Sequence, residues 1–314
     1  MCLLRELKVW ESLAEDAVTP VYDMQVHGDQ PGAELAFSSW QQGVSHLACI
    51  VDAAELERQL AAALRYSPHV QTVNQAVPAS LTALCEGRDS DGREALGVRF
   101  EPRTYGQRAI AARLTSERPH EGLARQWFRS PDVLALLPFD RPNRGASYGL
   151  VWSLPNERAE SLMQMEPAAF EAQLAAATGD DSLKLASGLS SWPLALARAE
   201  PLIGSGWVLL GDAAHIIHPL AGQGLNLGLA DVAVLARVIS ERESWRPLGD
   251  ERLLRRYARE RLAATWAMGE LTDGLQRLFA ADAAPLRELR NRGLDLLNAV
   301  PPLKRWLTSQ ALGV

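Results

Sequence analysis

The sequence predicts a mixed α+β protein of two interleaved domains, on three observations. Helical and β-rich stretches alternate in blocks, a β-rich stretch at 105–152 occupies the middle of the chain, and the last third is helical. A chain of 314 residues is long enough for two domains. Hydrophobic residues make up 47% and charged residues 22%, which sets aside a disordered or fibrous chain.

Taken in order, residues 2–13 read as a short helix, with Leu3, Leu7 and Trp10 at helical spacing. Val21 to Val26 alternates as a strand, Gly28-Asp29 and Pro31-Gly32 supply turns, and Leu35 to Phe37 suits a pairing strand. From Asp52 to Leu64 the pattern turns helical: Leu56, Leu60 and Leu64 recur every four residues behind Asp52, a good N-cap. Ile110 to Leu114, Val133 to Leu137 and Tyr148 to Trp152 are strand-like runs separated by Pro, Gly, Asn and Asp. A helix at 167–177 ends at Gly179, and Val208 to Leu210 is an apolar strand that stops at Gly211-Asp212. Leu225, Leu229, Val232, Leu235 and Ile239 form one apolar helical face, with Pro247 just past its end. Asp250 to Ala280 reads as one long amphipathic helix, followed by short helices near 285–298 and 302–311 on either side of Pro301-Pro302.

Several function classes fall away on composition. With 32 basic and 38 acidic residues the formal charge is −6, which argues against nucleic acid as a partner. Cys2, Cys49 and Cys85 are too few and too scattered for a disulfide framework or a zinc site, and read as reduced thiols of a cytoplasmic protein. His215 and His218 stand at i,i+3 without Cys or carboxylate partners nearby in sequence, so no metal is expected. No run approaches the roughly 18 apolar residues of a spanning helix, so any membrane contact is expected to be peripheral. No Ser/His/Asp order or paired-carboxylate pattern stands out.

One constellation carries chemistry. It runs through Gly211-Asp212-Ala213-Ala214-His215, Pro219, Gly222-Gln223-Gly224-Leu225-Asn226, Gly228 and Asp231. Physically it is a buried strand, a sharp turn, an extended loop and a glycine-flanked helix start. Gly222 and Gly224 let a flat ligand approach the backbone. Free N–H groups at 224–226 favour partial negative charge, and Asp212 at the strand end is placed to accept hydrogen bonds from a polyol. A dinucleotide fingerprint at Gly222-x-Gly224 fails on context, because no strand ends just before Gly222 and Asp231 comes too soon.

Together these residues resemble the second FAD-binding motif of flavoprotein aromatic hydroxylases with the p-hydroxybenzoate-hydroxylase fold. The string GDAAHIIHPLAGQGLNLGLADV is most similar to the ubiquinone-biosynthesis hydroxylase branch. The resemblance implies that Gly211 and Asp212 serve the ribitol, that Pro219 lies beside the flavin ring, and that Gly222 to Asn226 hold its pyrimidine edge. His215 is expected to be structural and His218 to border the substrate cavity, as the tentative catalytic residue. A second stretch, Cys85 to Arg93, looks like the family's Asp-Gly motif, which serves FAD and the nicotinamide cofactor in relatives. That makes Glu86, Gly87 and Arg93 cofactor candidates, although Glu86 replaces the usual Asp and Leu84 a usual Gly. Tyr105-Gly106-Gln107, Ala124 to Phe128, Leu136-Leu137-Pro138, Tyr257 and Arg261 extend the similarity over nearly the whole chain. Trp127 and Trp152 face either an aromatic substrate or, more simply, the core.

The fold implied is an incomplete Rossmann-like FAD-binding domain (1–20, 41–100 and 196–246), interleaved with a substrate-domain sheet (21–40 and 101–195), plus a C-terminal helical region at 247–314. The family's opening strand, Gly-x-Gly-x-x-Gly turn and helix have no counterpart here, since the first glycine is Gly28. The expectation is therefore a truncated chain, or one given too late a start, that binds FAD weakly. The implied activity is hydroxylation of an aromatic ring, a polyprenyl-phenol of ubiquinone synthesis, with NAD(P)H as reductant. Two alternatives stay open: a non-catalytic protein that binds lipid or joins a biosynthetic complex, and a hydroxylase of a small soluble phenol. Residues 286–312 mix Arg290, Arg292, Lys304 and Arg305 with Leu294, Leu297, Leu303, Trp306 and Leu307. They suit either the surface of an inner membrane or, more simply, packing on the core.

Overall fold

The computed structural model describes residues 2–28, 34–217, 224–263 and 265. The chain forms two compact units, one from Met1–Pro68 and Gly106–Pro193 and the other from His69–Tyr105 and Leu194–Gln276. The expected turn at 29–33, the helical pattern beyond 265 and the basic-apolar stretch at 286–312 lie outside the described residues.

The first unit opens with α1 (Cys2–Glu6) rather than one helix over 2–13. Lys8 takes a left-handed φ of 56°, which stops the helix and leaves Trp10–Ser12 as a separate 3-10 turn. The strand expected at 21–26 is also divided. β1 (Val18–Val21) and β2 (Asp23–His27) join different sheets, and the chain changes sheet at Tyr22. β2 pairs antiparallel with β3 (Glu34–Ser38), as expected, and α2 (Ser39–Gln42) follows. β1 pairs with β4 (Ala48–Val51). α3 (Ala53–Arg65) starts where the cap predicts, with Asp52 Oδ1 accepting from the Ala54 N–H at 3.1 Å.

In the second unit β5 (Thr82–Leu84), α4 (Asp91–Ala95) and β6 (Arg99–Phe100) come next. The β-rich block then returns to the first unit as β7 (Arg103–Thr115), β8 (Leu123–Arg129), β9 (Asp132–Phe139) and β10 (Ser147–Pro155). Their order is β7-β10-β9-β8-β2-β3, antiparallel except for β2 beside β8. Register places Leu150 between Ala112 and Leu136, and Trp152 between Ile110 and Leu134. That apolar face is closed by α5 (Asn156–Met163) and α6 (Pro167–Thr178) through Leu162, Phe170 and Leu174. α6 has Pro at its start and Gly179 in a left-handed cap, the asymmetry its sequence advertises. Trp127 and Trp152 are buried in this core, so their role is packing. Alternation leaves Ala111, Val151, Ala135 and Gly149 on the other face, all half-buried. β11 (Lys184–Leu185) pairs with β7.

β12 (Ser190–Glu200) carries the chain onward to β13 (Ile203–Gly204), β14 (Trp207–Leu209) and β15 (His215–Ile216). β13 pairs antiparallel and β5 parallel with β14. α7 (Gly224–Ser240) and α8 (251–263) complete the unit, whose core joins Val208, Leu209, Leu235, Val238, Leu253, Leu254 and Tyr257. The apolar face expected on α7 is corrected: Leu225 and Val232 are exposed, and the buried face is Leu227, Asp231, Leu235 and Val238. The charge of Asp231 hid that face, because an unpaired acid would not be buried. Among the described residues no helix is long and apolar enough to cross a membrane.

Candidate functional site

β14 and β5 are short, apolar and parallel, with Leu209 in register with Leu84. Leu210 N–H donates to Leu84 O at 3.0 Å and closes the ladder. Two segments 120-odd residues apart in sequence, Cys85-Glu86-Gly87 and Leu210-Gly211-Asp212, therefore leave the same carboxyl edge of neighbouring strands. Ligands of parallel sheets collect at such edges, where strand ends diverge into loops.

Gly211–Ala213 forms a tight 3-10 turn, closed by Ala214 N–H donating to Gly211 O at 2.9 Å. Gly211 has φ 59°, a left-handed conformation that costs a side chain roughly 1–2 kcal/mol. Asp212, at its crest, is exposed. The turn is held at both ends. Gly211 N–H donates to Asp231 Oδ2 at 2.9 Å, and Arg93 Nη1 donates to Ala213 O at 3.1 Å. The Arg93 guanidinium is buried, also donates to Arg88 O, and lies 3.7 Å from the Phe100 ring centroid. It thus points into the protein.

Asp231 is fully buried and met by N–H donors on all sides. His215 Nε2 stands 2.7 Å from Oδ2, and Arg261 Nε stands 2.6 Å from Oδ1. Arg261 also donates to Leu227 O at 3.2 Å. Burial pushes the Asp231 carboxyl upward, but the hydrogen bonds from His215 and Gly211 and the Arg261 charge hold it below the usual range. His215 is buried and structural, as the sequence suggested. Tyr257, on α8, donates its hydroxyl to Leu209 O at 2.9 Å, and burial pushes that phenol well above its ordinary value.

Glu86 accepts from Ser90 Oγ at 2.5 Å and from Gly92 N–H at 2.9 Å, while Ser90 Oγ accepts from Arg93 N–H at 3.1 Å. This Ser90 contact caps α4. Both departures from the family motif meet at one point. A Cβ at Gly92 would lie 2.8 Å from Glu86 Oε2 and 2.8 Å from Leu84 Cδ2. The glycine gives room to the longer acid and to the leucine together. Gly87 adopts φ 80° in the intervening turn.

Gly224 opens α7, with Leu225 and Asn226 exposed beside it. Among the described residues a Cβ at Gly224 would meet nothing within 4 Å, and one at Gly228 would lie 3.5 Å from Gly211 Cα. The helix therefore passes close to the turn at Gly228. His218, Pro219, Gly222 and Gln223 lie outside the described residues. Sequence reading included Asp231 in the motif and Arg261 and Tyr257 in the wider similarity, but gave none of them a role at this site. The available signal was a lone acid within the apolar run 225–239.

An FAD-type group fits this donor set. An exposed carboxylate for a polyol, a left-handed glycine turn and a glycine-led helix start share one unit. Among the described residues no group of three His, Cys, Asp or Glu could hold a metal ion.

Comparison with known proteins agrees with that chemistry. The family model for an FAD binding domain matches residues 54–272. The ubiquinone hydroxylase UbiL of Rhodospirillum rubrum is 34% identical over 242 residues, 76% of this chain and 56% of that protein. The mitochondrial ubiquinone biosynthesis monooxygenase COQ6 of Homo sapiens is 31% identical over 263 residues, 72% of this chain and 55% of that protein. The chain thus spans about half the length of these two relatives. Among solved structures, p-nitrophenol 4-monooxygenase PnpA of Pseudomonas putida DLL-E4 superposes with a TM-score of 0.75 at 15% identity, covering 99% of this chain and 85% of that one. That likeness is one of fold, and it bears out the expected p-hydroxybenzoate-hydroxylase-like architecture.

Proposed function

Because the chain belongs to the family of FAD binding domains, we propose that its second unit holds the flavin end of FAD in an FAD-dependent monooxygenase of aromatic rings. The observation that carries this reading is the shared carboxyl edge of β5 and β14, from which both cofactor motifs depart. Asp212 accepts hydrogen bonds from the ribityl chain, Gly211 lets that chain approach, and the opening amides of α7 at Gly224, Leu225 and Asn226 meet the electron-rich pyrimidine edge. Glu86 and Gly87 shape the neighbouring turn, and Arg93 serves the cofactor by bracing Ala213. Pro219, Gly222, Gln223 and His218 join the proposal on resemblance alone.

When bound, the reduced flavin supplies oxygen activation and the transfer of one oxygen atom to the ring; NAD(P)H is the proposed reductant. The protein's part is to position and to exclude water. The names of UbiL and COQ6 support a ubiquinone precursor, a polyprenyl-phenol, as substrate. A soluble phenol is the competing outcome.

The test is titration of FAD into the purified protein, read by flavin fluorescence. Saturable quenching that weakens about tenfold in Asp212→Ala supports the site. No saturable quenching of FAD by the unsubstituted protein overturns it. Oxygen and NAD(P)H consumption with a prenylated and an unprenylated phenol then decides the substrate class.

A further inference from the structure

We propose that Asp231 is the positioning residue of the flavin turn, held in place by His215 and Arg261 and acting through the Gly211 N–H; the inference rests on the FAD reading above. Asp231 is the sole acidic residue of α7, and its carboxylate is fully buried in the second unit. Three N–H donors from three elements converge on it: Gly211 in the turn, His215 in β15 and Arg261 in α8.

An environment made only of donors selects a group that only accepts. A carboxylate satisfies all three; an amide of the same shape turns an NH2 toward another N–H. Stability alone does not explain the group. A buried ion pair recovers little more than the cost of desolvating it, and apolar residues of equal volume would pack α7 and α8 as well. What apolar residues cannot do is hold a backbone N–H at a fixed point. Asp231 does this at Gly211, one residue before Asp212, while Arg93 holds Ala213 O one residue after it. Opposite charges thus grip opposite ends of a three-residue turn, and the carboxylate offered to the ribityl chain stands between them. Arg261 has a second duty. Its Nη2 donates to Leu227 O, so the guanidinium fixes the charge and the first turn of α7 at once.

The arrangement makes α8 a determinant of cofactor affinity, although no residue of α8 is assigned to touch the cofactor. Asp231→Asn is the informative change, since it preserves volume while removing the charge that faces Arg261 and reversing part of the donor-acceptor pattern. Two readouts are needed. In the cofactor-free protein, amide hydrogen exchange at Gly211 should accelerate about ten- to hundredfold, while Thr82 to Leu84 in β5 stay protected. In the FAD titration, affinity should fall about tenfold or more. Arg261→Lys, which keeps the charge but loses the planar fork, should show a smaller loss of both and serves if Asp231→Asn does not fold. A purely structural role for Asp231 would instead raise exchange through the whole unit in proportion to lost stability. That uniform pattern, or unchanged protection at Gly211 in both variants, overturns the proposal. If the unsubstituted protein fails to bind FAD, the cofactor reading falls on its own. Exchange at Gly211 then still decides whether Asp231 holds the turn.

Discussion

Replacing Tyr257 by Phe removes one oxygen atom from the second unit and tests how firmly β14 is held behind the site. The hydroxyl donates to Leu209 O at 2.9 Å, and Tyr257 is 1% exposed, so no solvent replaces the lost donor. A net hydrogen bond contributes about 0.5–1.5 kcal/mol, and a carbonyl left bare in a dry core costs about 1–3 kcal/mol. Tyr257→Phe should therefore destabilise the unit by about 1–3 kcal/mol. Tyr257→Ala empties the ring site as well, which for large aromatic residues costs about 3–5 kcal/mol. The unfolded chain loses its phenolic proton near pH 10, whereas burial keeps Tyr257 protonated in the folded protein. Stability from this group is therefore fully present below pH 10 and declines above it, a limb that Tyr257→Phe should lack. Urea unfolding of the three proteins at pH 7.5 and pH 10.5 measures both effects. Equal stability of Tyr257→Phe and the parent at pH 7.5, or equal loss in Phe and Ala, would refute the assignment of a hydrogen bond to Leu209.

Three further outcomes follow from contacts already described or equally local. Gly92→Ala places a Cβ 2.8 Å from both Glu86 Oε2 and Leu84 Cδ2, so it should cost about 1–2 kcal/mol, and adding Glu86→Asp should recover part of it in a double-mutant cycle. Gly249→Ala meets backbone, with its Cβ 2.3 Å from Ser80 O and 2.8 Å from Gly206 Cα; a loss of about 3 kcal/mol or more in a denaturant melt is expected, and a neutral result would contradict the packing. His27 stacks on Trp127 at 5.4 Å, and burial lowers its pKa below the ordinary 6.5. In the window just below pH 6.5 the unfolded chain binds the extra proton and the folded chain does not, so stability rises with pH there, and His27→Gln should flatten that slope in melts at pH 5 and pH 7.

The sequence made local structure legible wherever one residue dictates a backbone conformation. Asp52 announced α3 through its cap, Gly179 ended α6, and Gly211 marked the turn after β14. It was less informative where partners are distant. Alternation over residues 21–26 says that the chain is extended, not that it changes sheets at Tyr22. The apolar stripe read on α7 chose Leu225 and Val232, which are exposed, because periodicity assigns no buried place to a charged residue. Asp231 can be buried only because Arg261 lies 30 positions ahead and His215 16 positions behind, a pairing that hydropathy does not encode. The Asp-Gly motif posed the same difficulty. Glu86 and Leu84 looked like two independent lapses until Gly92 placed them against one another.

That three-way contact ties positions 84, 86 and 92 into one unit. With Leu at 84 and Glu at 86, a Cβ at 92 crowds both side chains at once. Substitutions at the three positions should therefore be non-additive, and a shorter side chain at 84 or 86 should widen what position 92 accepts.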